Sequence, residues 1–78
     1  MRKEDNKMKI SGRIFELMDQ KGISQLELSN ATGIAQSVIS DWKRKKTNPA
    51  ADKLVRIARF LEVTVEELLV APDGELYE

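Results

Sequence analysis

The side chains best suited to recognition chemistry gather between Gln36 and Lys46. Drawn on a helix at about 100° per residue, Gln36, Ser37, Ser40, Asp41 and Arg44 fall within about 140° of one another. Val38, Ile39 and Trp42 occupy the opposite side. The polar side carries donors and acceptors matched to nucleobase edges. A Gln amide can pair with adenine N6 and N7, a Ser hydroxyl with several bases, and an Asp carboxylate with the cytosine N4 amine. Four consecutive cations, Lys43-Arg44-Lys45-Lys46, adjoin the C-terminal end of this stretch. A cationic run of this kind suits phosphate oxygens. An ordinary surface helix with a solvated face would give a similar wheel, so amphipathicity alone does not decide the matter.

Other chemistries are narrowed by what the sequence lacks. It contains no His and no Cys, which removes ordinary zinc sites, disulfides and the Ser-His and Cys-His nucleophile arrangements. Glu66 and Glu67 are adjacent acids, but they suit the positive end of a helix dipole better than acid–base work. Trp42, spaced with Val38 and Ile39, reads as core and not as a base-stacking platform. No enzyme, no cofactor and no metal are therefore expected. The formal net charge is zero, yet it is unevenly spread. Residues 1–46 hold ten Lys or Arg against six Asp or Glu, and residues 47–78 hold three against seven. The basic run lies in the positive half, as in a molecule with one phosphate-facing side. With 78 residues there is material for one domain. No stretch approaches the ~20 apolar residues that span a bilayer, so no membrane partner is expected.

A helix that presents the polar edge must itself be held, and the flanking sequence predicts how. Ile10, Ile14, Leu17 and Met18 share one face of a first helix, closed by Gly22 as a left-handed cap. Ser24 and Glu27 form a capping box that opens a second, with Ile23 and Leu28 as its staple. This helix ends near Ala31, and Gly33 supplies the positive φ of a tight turn. The third runs from about Gln36 to Lys45 and is broken at Asn48-Pro49. A fourth, about Ala51–Leu61, buries Leu54, Ile57, Ala58 and Leu61. Thr64 and Glu67 form a second capping box, stapled by Val63 and Leu68, for a short fifth helix. Pro72-Asp73-Gly74 is expected to end the ordered part. The division is thus a polar, flexible arm over residues 1–8, a five-helix all-α domain over 9–70 and a C-terminal tail over 71–78.

Two blocks carry a family resemblance. Gly22-Ile23-Ser24-Gln25-x-Glu27-Leu28-Ser29 is followed by Thr32-Gly33-Ile34-x-Gln36-Ser37-x-Ile39-Ser40-Asp41-Trp42. Together they resemble the helix-turn-helix core of the lambdoid-repressor and Cro-like family, also called the XRE family. Asn48-Pro49-x-x-Asp52-Lys53-Leu54-x-x-Ile57-Ala58 and Val63-Thr64-Val65-Glu66-Glu67-Leu68-Leu69 match its fourth and fifth helices. The resemblance covers about residues 9–70, with several motifs in the family's order and spacing.

It implies a compact lambda-repressor-like domain whose second helix crosses the DNA backbone while the third enters the major groove. By the resemblance, Gln36, Ser37, Ser40 and Asp41 read bases. Gln25, Lys43, Arg44, Lys45, Lys46, Thr47 and Asn48 hold phosphates, and the Gln25 amide also buttresses Gln36. The sequence departs from the family at Ala35 and Ala50, where many members carry a capping Ser or Thr. Ser29 replaces a small apolar residue, and its hydroxyl is expected to bond the carbonyl four residues back.

The implied function is sequence-specific transcriptional regulation, with repression favoured, on double-stranded DNA in the cytoplasm of a bacterium or as a phage-encoded, nucleoid-associated protein. A homodimer, DNA-assisted, would use Val65, Leu69, Val70, Leu76 and Tyr77. The competing expectation is a protein-interaction adaptor or antitoxin-type module on the same fold, which the acidic second half favours.

Overall fold

The computed structural model describes residues 8–78, so residues 1–7 of the expected arm lie outside the described residues. Five helices follow in order: α1 (Ile10–Lys21), α2 (Gln25–Thr32), α3 (Gln36–Lys45), α4 (Ala51–Leu61) and α5 (Val65–Leu69). Their limits follow from local chemistry. Gly22, in the left-handed region at φ 71°, closes α1 by returning its N–H to the Asp19 and Met18 carbonyls. Ser24 accepts from the Glu27 N–H while the Glu27 carboxylate accepts from Ser24 N–H, which completes the capping box of α2. Thr64 and Glu67 repeat the arrangement at α5. Helices α3 and α4 start without a side-chain cap, at Ala35 and Ala50. They end on Lys46 (φ 57°) and Glu62 (φ 61°), two non-glycine residues in the left-handed region.

The apolar faces meet in one core. Ile14, Leu28, Ile39, Ile57, Leu61 and Leu68 are its fully buried members, contributed by all five helices. Trp42 belongs to this core, as its spacing with Val38 and Ile39 requires. Burying side chains of this size contributes about 1.5–3 kcal/mol each before entropy is counted.

One expectation fails at the C-terminal end. The chain does not lose order at Pro72-Asp73-Gly74. It turns there and runs back, pairing Val70 with Leu76 in an antiparallel bridge. Tyr77 N–H donates to the Leu69 carbonyl and Ala71 N–H to the Glu75 oxygen, both at 2.8 Å. On its other side the returning strand meets α1: Glu78 N–H donates to Met8 and Ile10 N–H to the Glu78 main-chain oxygen. Gly74, at φ 89°, permits the reversal. Its composition marked a turn, and the docking partner came from the far end of the sequence.

Candidate nucleic-acid interface

The connection between α2 and α3 sets the aim of α3. Gly33 leaves α2 at φ 78° and its N–H reaches the Ser29 carbonyl. Buried Thr32 then works in two directions: its hydroxyl donates to the Leu28 carbonyl (2.7 Å) and accepts from Ile34 N–H (3.3 Å). The Ser29 hydroxyl donates forward to the Ile34 carbonyl (2.6 Å) and not to the carbonyl four residues back. Three side-chain bonds therefore brace a connection that leads into a helix with no cap of its own.

α3 sits with Ile39 and Trp42 buried and Val38 half-buried against the core. Gln36 and Ser37 are exposed, and Ser40 and Asp41 are half-buried. The four expected base readers thus share one side of α3 but differ in what they touch. The Ser40 hydroxyl donates to the Gln25 amide oxygen at 2.9 Å. Gln25 is accordingly braced by Ser40, and the expected Gln25–Gln36 buttress is replaced by this contact. Asp41 forms an ion pair with Arg44 one helical turn on. An exposed pair of this kind contributes at most about 1 kcal/mol, so Arg44 can exchange it for a phosphate at little cost.

The cationic end is similarly differentiated. The Lys43 ammonium lies over the Phe15 ring, 5.5 Å from its centroid, which links α3 to α1. Lys45, Lys46 and Thr47 are exposed. Asn48 is engaged elsewhere: its amide oxygen accepts from Ser11 N–H (3.1 Å) and its amide nitrogen donates to the Glu78 main-chain oxygen (2.7 Å). Both polar atoms of its side chain thus bond the protein's own backbone, away from the expected phosphate.

Of the residues expected at a dimer contact, Val65, Leu69, Val70 and Tyr77 are half-buried, with Val65 and Leu69 packed on the core. Leu76 is 65% exposed. Leu26 and Val55 are exposed as well, on α2 and α4, and periodicity did not single them out. Among the described residues no cluster of His, Cys, Asp and Glu could hold a metal ion. No helix of the structure is long and apolar enough to cross a membrane.

With this geometry in place, residues 14–68 match the family model described as helix-turn-helix. The transcriptional regulator SinR of Bacillus licheniformis is 34% identical over 70 residues, covering 88% of this chain and 63% of SinR. The regulator DdrOP3 of Deinococcus deserti is 32% identical over 62 residues, covering 80% of this chain and 48% of DdrOP3. The chain therefore spans about half to two-thirds of the length of these curated relatives. Among solved structures, the biofilm regulator SinR in complex with DNA superposes with a TM-score of 0.70 at 36% identity, covering 77% of this chain and 97% of that one.

Proposed function

The chain belongs to the helix-turn-helix family of the lambda-repressor and Cro-like type, and from that membership we propose that it is a sequence-specific DNA-binding transcriptional regulator, acting as a repressor. The observation that carries the reading is the placement of α3. Its apolar side is locked in the core, its Gln36 and Ser37 side chains face outward, and its last turn ends in exposed cations. In this reading α3 enters the major groove. Gln36, Ser37 and the edge of Asp41 meet bases, and Gln25, Arg44, Lys45, Lys46 and Thr47 meet phosphates, with Lys43 contributing charge from above Phe15. SinR, alike in sequence and fold, binds DNA, which supports the same use here. The protein works as a cytoplasmic, nucleoid-associated regulator and carries no catalytic role.

One module of this size covers little DNA, so two copies on paired half-sites supply affinity a single copy lacks. The homodimer is weak and DNA-assisted, with exposed Leu76 and the edges of Val65, Leu69, Val70 and Tyr77 as its contact. Sedimentation of free and operator-bound protein tests this; a monomer in both cases refutes it.

The test of the main reading is binding to DNA selected from a random pool, followed by titration with salt. Specific binding that weakens steeply with salt supports the regulator. Absence of binding up to high micromolar protein would instead favour the interaction module, to which the exposed acids Glu62, Glu66, Glu67 and Glu75 lend some support.

A further inference from the structure

The first turn of α1 presents N–H groups that the helix cannot satisfy, and its N-terminal flanking residue, Lys9, provides no side-chain cap. Two distant segments fill the gap. Ile10 N–H donates to the Glu78 main-chain oxygen at 2.7 Å, and Ser11 N–H donates to Asn48 Oδ1 at 3.1 Å. Asn48 Nδ2 then donates to that same Glu78 oxygen at 2.7 Å. The three bonds close a ring through α1, the α3–α4 loop and the returning C-terminal strand. A side-chain ion pair, Lys9 with Glu78, lies beside it.

Asn48 is the sole member of the ring on the loop that follows the cationic run. Lys46 and Thr47, immediately before it, are exposed, while Pro49, immediately after it, is buried. The loop is thus anchored on one side by Pro49 in the protein and on the other by Asn48 on two backbone groups. Release of the 76–78 strand removes the acceptor of Asn48 Nδ2 and one of the two partners that satisfy the α1 amides.

We propose that Asn48 is a positioning residue of the DNA interface, through which the docked strand 76–78 holds the α3–α4 loop and its cations in place. The strand acts as a latch: undocking it weakens DNA binding at every sequence and leaves base preference alone. The proposal rests on the DNA-binding reading given above.

The test compares Asn48→Ala, Tyr77→Pro and the double variant in the full chain, on duplexes that hold a single copy so that the dimer contact at Tyr77 does not enter. Each variant is shown to be folded by the emission of buried Trp42. Tyr77→Pro deletes the N–H that pairs with Leu69 and so loosens the strand at a point away from the loop, and faster exchange at Glu78 reports its release. Should it fail to fold, Ala71→Pro removes the bond to Glu75 instead. Each single variant should speed amide exchange at Ser11 and Glu78 and weaken binding to selected and random DNA alike, about three- to tenfold. The double variant should bind no worse than the weaker single one. If Tyr77→Pro frees the strand yet binds as tightly as the unaltered chain, or if the two losses multiply, the latch is overturned while DNA binding stands. If the unaltered chain binds neither DNA, the DNA-binding reading fails first and the latch with it.

Discussion

The hydroxyl of Ser40, in the middle of α3, donates to the side-chain oxygen of Gln25, the first residue of α2, at 2.9 Å. This joins α2 to α3, which in the proposed reading are the helix that crosses the DNA backbone and the helix that reads the groove. Because the amide oxygen is the acceptor, both hydrogens of the Gln25 amide nitrogen are left to donate elsewhere. A phosphate oxygen is a fitting acceptor at the positive end of α2. Ser40→Ala should therefore weaken binding to all DNA sequences by about 1 kcal/mol with base preference unchanged. Fluorescence anisotropy on selected and random duplexes checks this. A change of preference would return Ser40 to the base-reading set.

Gln36 stands exposed at the first position of α3 with no intramolecular side-chain bond described for it. Gln36→Ala should cost about 1–3 kcal/mol on the preferred site and much less on random DNA. Equal losses on both would remove its base-reading role.

Arg44 and Asp41 are paired on the surface that faces DNA in this reading. Lys45→Ala should lower affinity for all sequences and flatten the plot of log affinity against log salt by about one unit. Asp41→Asn removes a negative charge and frees Arg44, so binding to random DNA should strengthen. Weaker binding of Asp41→Asn to one particular base pair, with others improved, would show that the carboxylate reads that pair.

Ala35 precedes α3 with extended-type backbone (φ −59°, ψ 140°) and is exposed. Ala35→Ser supplies a hydroxyl at the start of α3, which has no side-chain cap, and should raise stability by about 1 kcal/mol. Thermal unfolding followed by circular dichroism measures it. No increase would mean that the Ser29 and Thr32 bonds already hold that turn as firmly as a cap would.

The contrast between Ser24 and Asn48 shows what the sequence discloses about such a fold. Ser24 caps a helix three residues away, so its partner is visible in the spacing of Ser and Glu. Asn48 also caps a helix, but its partners lie 37 and 30 residues distant, and spacing carries no trace of them. The same division runs through the interface. The apolar side of α3 follows from a 3.6-residue period, and the structure buries it as expected. The contacts of Ser40, Lys43 and Ser29 depend on which element packs alongside, and Gln25, Ser40, Lys43 and Asn48, all assigned to DNA by the resemblance, have partners on other parts of the protein. Composition suggested a free tail after Pro72, but the exposed main chain of residues 8–10 offered it an edge to pair with.

The left-handed backbone of Lys46 sets folding against grip. A residue with a Cβ is disfavoured at φ 57° by roughly 1 kcal/mol, and glycine would occupy that conformation freely. Lys46→Gly should thus give a protein that melts later and holds DNA less tightly. The position is one where a sequence optimised for durability and a sequence optimised for binding would diverge, and in the proposed reading this chain carries the residue suited to binding.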